Sequence, residues 1–125
     1  MFERIKYHYS AGYSFASVEL WVKNNELHYS KTITGNPEEF TQDSVSEVSV
    51  EDFAKMIETV HIADWKKKYK YDDSKGVILG GESWDVVYKD SDGTKIKSSG
   101  DNALPVNWGM LQKVLTKTVG TIEFD

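Results

Sequence analysis

The chain of 125 residues contains no cysteine, only two prolines and no long apolar run. The missing cysteines exclude disulfides, thiolate metal ligands and cysteine nucleophiles. No stretch approaches the roughly 18 consecutive apolar residues of a membrane-spanning helix. The first six residues, Met1 to Lys6, carry charge where a signal peptide needs an apolar stretch. These absences predict a cytoplasmic protein without membrane contact.

The composition is that of a folded protein, with 39% hydrophobic and 13% aromatic residues. Disordered chains lack such an aromatic content. A chain of this length can bury about two thirds of the surface that it exposes when unfolded. Length and composition therefore predict one domain over residues 1–125.

Alternating apolar residues predict strands in the first part of the chain, over 2–9 and 13–22. Asn24-Asn25 is typical of a two-residue hairpin turn, because asparagine tolerates positive φ. This turn sets three cross-strand pairs: Val22 with Leu27, Leu20 with Tyr29, and Trp21 with His28. The first two pairs form a core face, and Trp21 lies on the opposite face as a core residue or an interface anchor.

Capping residues and the periodic spacing of apolar residues predict two helices. Ser49 with Asp52 resembles a capping box, and Phe53, Met56, Ile57 and Val60 then form one apolar stripe. Trp65 and Tyr69 are four residues apart and would share a face if helix continues there. Pro105 suits the first turn of a second helix, in which Trp108, Leu111 and Leu115 form the inner stripe and after which Gly120 is a stop signal.

Two further strands, 83–89 and 94–99, flank the turn Ser91-Asp92-Gly93, which pairs Tyr88 with Ile96. Asp43 to Val48 is either irregular or a short edge strand, and Ile122 and Phe124 could form a last strand. The predicted fold is α+β, in the order βββαββα(β). It is an antiparallel sheet of five to six strands with two main helices packed on one face.

The sequence contains none of the standard catalytic or metal-binding motifs. There is no P-loop, GxGxxG or GxSxG motif, and His8, His28 and His61 lack metal-ligand spacing. The carboxylates of Asp72-Asp73 and of Asp90 and Asp92 are explained by turn chemistry. We therefore expect no enzyme activity, no catalytic residue, no metal and no cofactor.

Charge is distributed unevenly along the chain, whose net charge is −5. Eight acidic residues and a single basic one, Lys55, lie between Asn36 and Asp64, and a lysine run follows from Lys66 to Lys70. The acidic segment predicts a protein partner with a basic surface. Its expected contact residues, with Trp21 as an aromatic anchor, are Glu38, Glu39, Asp43, Glu47, Glu51 and Glu58.

The lysine run with Tyr69 and Tyr71 invites a nucleic-acid interpretation, since lysine contacts phosphate and tyrosine stacks on bases. The pI near 5.2 and the single arginine, Arg4, argue against it, because nucleic-acid-binding domains are usually basic. The sequence is also compatible with a homodimer.

The second half resembles a family of small uncharacterised bacterial α+β proteins. The resemblance lies in Trp65 and Tyr69, Gly81, the Trp84-led strand, Asp92-Gly93, and the stretch from Gly100 through Asn102 and Ala103 to Pro105, then Trp108. The chain departs from the pattern at Gly80-Gly81-Glu82, which stands where the family has Asp-Gly. The resemblance implies the α+β fold, but it does not imply any particular activity.

Two functional classes remain open. The first is a non-enzymatic interaction module, such as an immunity-type or phage-type inhibitor that binds a basic protein through an acidic surface. The alternative is a small enzyme or ligand-binding domain whose site assembles from scattered residues. A deep apolar pocket with convergent polar groups would favour the alternative, and a flat acidic face would favour the first.

Overall fold

The computed structural model of the chain describes residues 1–35, 40–71 and 81–124. Its regular elements are β1 (Phe2–Ala11), β2 (Ser14–Lys23), β3 (Glu26–Ile33), β4 (Thr41–Val45), α1 (Val50–Glu58), β5 (Lys68–Lys70), β6 (Glu82–Asp90), β7 (Lys95–Asp101) and α2 (Trp108–Val119). A short 3-10 turn, Ile62–Asp64, follows α1.

The strands form one seven-stranded sheet in the order β4-β3-β2-β1-β6-β7-β5. All neighbouring strands are antiparallel except β5, which runs parallel to β7. The strand β1 lies in the middle, between β2 and β6. The sheet therefore consists of a four-strand meander joined along the β1–β6 seam to a three-strand unit.

Both predicted hairpins are confirmed. Asn24 and Asn25 adopt φ of 51° and 63°, the left-handed values that a two-residue turn of this type requires. The register pairs Val22 with Leu27 and Trp21 with His28 as predicted. Gly93 has φ of 95° in the second hairpin, and the predicted Tyr88–Ile96 pair forms there.

The two helices begin and end near the predicted residues. Ser49 caps α1, since its Oγ accepts a hydrogen bond from the Asp52 amide at 3.0 Å. The apolar stripe of α1 faces inward, with Phe53, Ile57 and Val60 buried. Helix α2 starts three residues after the buried Pro105, and its last turn closes with the Gly120 amide on the Thr116 carbonyl.

Both helices pack on one face of the sheet. Phe2 meets Phe53 of α1 edge-on at 4.7 Å between ring centroids, and Tyr7 stacks on Trp108 of α2 at 5.4 Å. Alternate residues of β1, such as Arg4 and Lys6, point to the other face and are exposed. No helix among the described residues covers this second face, which is called the open face below.

The α+β class with two helices is confirmed, and the strand count is corrected from five or six to seven. The sheet is mixed rather than antiparallel, because Lys68–Lys70 forms a parallel edge strand instead of continuing a helix. Trp65 and Tyr69 still share a neighbour, since both rings contact Trp84 at 5.8 Å. For Asp43 to Val48, predicted as irregular or a short edge strand, the edge strand β4 includes the first three residues, and residues 46–48 are irregular.

The predicted last strand at Ile122 and Phe124 is wrong. The segment after α2 is held by a side chain instead of a ladder. The buried Lys31 ammonium donates to the carbonyls of Val119 and Thr121 at 2.8 and 3.1 Å. Ile122 is buried and Phe124 stacks on Tyr9, so this segment packs without strand pairing.

Candidate binding surfaces

The predicted acidic residues separate into two groups in the structure. Glu38 and Glu39 lie outside the described residues. Asp43 lies on the edge strand β4 with φ of 46°, and its Oδ1 accepts a hydrogen bond from His28 Nδ1 at 2.7 Å. Glu47 is exposed in the connection between β4 and α1, on the way from the sheet to the helical layer.

Glu51 and Glu58 lie on the exposed side of α1, seven residues apart and therefore on one stripe of the helix. They border two adjoining shallow grooves. Glu51 and Glu3 line a groove of about 330 Å³ at one end of α1. Glu58 and Asp90 line a second groove of about 240 Å³ between α1 and the β6–β7 hairpin. We call these two depressions the acidic grooves.

The second acidic groove combines an apolar floor with a charged rim. Ile57, Ile62 and Ile96 form the floor together with the ring of Tyr88. The hydrogen bond from the Met1 ammonium holds the pKa of Asp90 below its ordinary value, so this carboxylate keeps its charge to lower pH. Burial, followed by the Asp90 charge, raises the pKa of Tyr88 to about 12, so the phenol stays neutral at physiological pH.

Trp21 is half-buried on the open face, and its cross-strand neighbours cover it. The Arg4 guanidinium carbon lies 5.9 Å from the centroid of the indole, and the His28 ring stacks on its other side at 6.0 Å. Arg4 also pairs with Glu19 at 3.3 Å. Asp43 reaches this group through His28, so Trp21 and Asp43 share the open face while Glu51 and Glu58 lie on the helical layer.

One row of side chains on the open face has the composition of a hydrolytic site. His8 Nδ1 lies 2.6 Å from Ser17 Oγ, and Asp85 is the cross-strand partner of His8 on β6. The three residues line a shallow depression of about 270 Å³. The backbone amides of β1 lie in the plane of the sheet and bond to β2 and β6, so none points at an oxyanion above the face. The row therefore offers a nucleophile and a base without transition-state stabilisation by backbone amides.

The second half of the lysine run forms the strand β5, which the sequence analysis did not predict. Lys68 and Lys70 lie opposite Ser99 and Asp101 of β7 on the open face, while Tyr69 between them turns inward to Trp84. Lys95 and Lys97 of β7 point to the same face. The signal was the Lys-x-Lys spacing in both segments, which has the period of a strand.

Apart from Asp92-Gly93 in the β6–β7 turn, the residues on which the resemblance rests lie close together at the other end of β6. Trp108 contacts the rings of Trp84 and Trp65 at 4.8 and 6.1 Å. Trp84 Nε1 donates to the Ala103 carbonyl at 2.7 Å. Asn102, with φ of 55°, accepts a hydrogen bond from the Glu82 amide on its Oδ1 at 2.8 Å. The turn between β7 and α2 is thus fixed to the start of β6.

Replacing Asn102 by alanine is expected to lower the free energy of unfolding by about 1–3 kcal/mol, because the half-buried Glu82 amide loses its acceptor. Asn102→Asp is the matched control, since aspartate keeps the acceptor oxygen and tolerates positive φ. Chemical denaturation of the three proteins measures the effect. A variant Asn102→Ala with unchanged stability and lost binding would show instead that Asn102 belongs to a binding site.

Among the described residues, no three His, Asp or Glu side chains come together in a group that could hold a metal ion. No helix in the described ranges is both long and apolar enough to cross a membrane. No family model, curated protein or solved structure matches the chain. We therefore infer what the protein binds from the surfaces of its described residues.

Proposed function

We propose that this protein is a non-enzymatic interaction module that binds a protein with a basic surface through the acidic grooves. The observation that carries the proposal is the second groove, where Glu58 and Asp90 stand above an apolar floor. Such a groove suits a lysine or arginine side chain, which packs its aliphatic stem on apolar surface and keeps its charged head at a carboxylate.

The two grooves together suit more than one basic side chain. Glu3 and Glu51 border the first groove and Glu58 and Asp90 the second, and the amide of Ser91 donates to the Met1 carbonyl between them. Glu3 is paired with Lys89 at 3.3 Å and Asp90 with the Met1 ammonium, so the exposed carboxylates of Glu51 and Glu58 carry the attraction. Exposed carboxylates raise the association rate of a basic partner, and salt weakens the effect. An immunity-type or phage-type inhibitor that neutralises a basic protein is the specific role that we propose for this chemistry.

The test uses a blocked decapeptide of alternating lysine and alanine as a probe of the acidic grooves. We expect its amide chemical-shift changes to concentrate at α1 and at the β6–β7 turn. The double variant Glu51→Lys/Glu58→Lys should weaken binding by about tenfold, which corresponds to about 1.4 kcal/mol. The affinity should also fall between about 20 mM and about 200 mM salt, since exposed charges are screened.

The matched control is Asp101→Lys/Glu123→Lys, which changes the net charge equally at exposed positions that line neither acidic groove. This variant should alter the affinity by less than about twofold. If both double variants weaken binding alike, net charge alone explains the binding and the proposed groove site is wrong. Circular dichroism of the three proteins, including the wild type, checks that they remain folded.

The enzyme alternative is tested separately, on the row formed by Ser17, His8 and Asp85. Ser17→Ala should leave the hydrolysis rate of activated esters at the wild-type level, because no backbone donor faces an oxyanion there. A loss of rate of about a hundredfold in this variant would instead establish the row as a catalytic site.

A further inference from the structure

We propose that the open face carries a second binding site, for an extended acidic segment of a partner protein. The site is formed by lysines of β5 and β7 and lies on the opposite side of the sheet from the acidic grooves. It does not depend on the function proposed above. Its centre is a groove of about 440 Å³, lined at the rim by Lys67, Lys68 and Lys97 and at the floor by Val87 and Ser99.

The lysines of this site are available to a ligand. Lys67, Lys68, Lys70, Lys95 and Lys97 are all exposed. Within the described ranges, the salt bridges involve none of these five; their basic groups belong to Met1, Arg4, Lys6, His28 and Lys89. No carboxylate in the described part of the chain lies at pairing distance from these lysines, so an acidic ligand would relieve their mutual repulsion.

The spacing of the lysines matches an extended peptide. Lys68 and Lys70 on β5, like Lys95 and Lys97 on β7, are two residues apart on one face of a strand, which is about 7 Å. Side chains at alternate positions of an extended peptide have the same spacing. A segment with acidic residues at every second position could thus place each carboxylate near one lysine.

The same surface is poorly suited to nucleic acid. Bases need aromatic rings on which to stack, and Tyr69, which lies between Lys68 and Lys70, packs inward against Trp84 at 5.8 Å. Trp21 and Phe15 of the open face lie on β2, beyond β6 and β1 from the lysines. Asp85 in the groove would repel a phosphate backbone, whereas a peptide can leave a polar residue opposite it.

The experiment uses a blocked decapeptide of alternating glutamate and alanine as the probe. We expect amide chemical-shift changes confined to β5, β6 and β7. Lys68→Glu/Lys97→Glu should weaken binding by about tenfold. The matched control is Lys113→Glu/Lys117→Glu, which changes the net charge equally on exposed positions of α2, in the helical layer. The control should change the affinity by less than about twofold.

Asp85→Asn gives an independent check in the opposite direction. Removing the negative charge of Asp85, which lines the groove, should tighten peptide binding by about two- to threefold, and the effect should fade at high salt. Equal weakening by the two lysine double variants, or no gain with Asp85→Asn, would overturn the site. Tighter binding of a single-stranded oligothymidylate than of the peptide would assign the surface to nucleic acid instead.

The experiments distinguish a failure of the lysine site from a failure of the proposed function. The lysine–alanine peptide reports on the helical layer and the glutamate–alanine peptide on the open face. Each set of variants leaves the other surface intact, so either site can fail while the other stands.

Discussion

Gly100→Ala is expected to lower the free energy of unfolding by about 3 kcal/mol, because the added methyl group has no room. A Cβ at Gly100 would lie 2.5 Å from Trp84 Nε1 and 2.6 Å from the Ala103 carbonyl oxygen. These two atoms form the hydrogen bond that fixes the turn before α2. The substitution must therefore separate a buried donor from its acceptor or displace the backbone of the turn.

Thermal and chemical denaturation measure this effect, and Gly109→Ala is the matched control. A Cβ at Gly109 meets nothing within 4 Å, and this residue lies in α2, where alanine is favoured over glycine. The control should therefore be as stable as the wild type or gain up to about 1 kcal/mol. Similar stabilities of the two variants would show that the contact at Gly100 is not tight in solution.

Trp108→Ala is expected to have a still larger effect, a loss of about 4 kcal/mol. The Trp108 side chain is only 4% exposed and joins both parts of the sheet to α2. Its ring contacts Tyr7 and Tyr9 of β1 and Trp84 of β6, at centroid distances from 4.8 to 5.9 Å. Removing it leaves a cavity at the point where the aromatic rings meet.

Denaturation together with the near-ultraviolet circular dichroism of the aromatic rings tests this prediction. Tyr13→Ala serves as the control, since Tyr13 is fully exposed and its removal should change stability by at most about 0.5 kcal/mol. A cooperative and nearly unchanged unfolding transition in Trp108→Ala would mean that the remaining rings repack and fill the space.

Local chemistry made the hairpins and helices predictable from the sequence. The turn at Asn24-Asn25 fixes the register of β2 and β3, because one residue of slip would exchange the core and open faces. Ser49 and its spacing to Asp52 fix the start of α1. In each case a few neighbouring residues decide the structure.

The parts that sequence reasoning missed depend on contacts between distant residues. Lys68–Lys70 is a strand only because β7 provides a ladder beside it, and Trp65 with Tyr69 has the same spacing as a helical pair. The segment at Ile122 has strand-like alternation, but Lys31 binds the preceding carbonyls and none of the described strands pairs with it. Propensity cannot foresee either outcome, because tertiary context decides both.

The candidate sites also combine features that the local sequence predicts with features that depend on contacts between distant residues. The exposure of Glu51 and Glu58 on α1 was predictable from the apolar stripe of the helix. That Asp43 would bind His28 on the sheet, away from these two residues, depends on the bulged pairing of β4 with β3. The lysine site was hidden because its two strands are separated in the sequence by β6.

The position of β1 in the middle of the sheet has a consequence for the order in which the chain assembles. The β1–β6 seam is closed by contacts such as the Ser10–Ser83 hydrogen bond, which spans 73 positions. Local hairpins form quickly, but closing so long a loop is slow, and pairing of this kind lengthens folding times. During synthesis, β1 exposes an unpaired edge and the apolar side chains of Ile5 and Tyr7 until β6 leaves the ribosome. We expect this interval to be the time when the nascent chain most needs protection from aggregation.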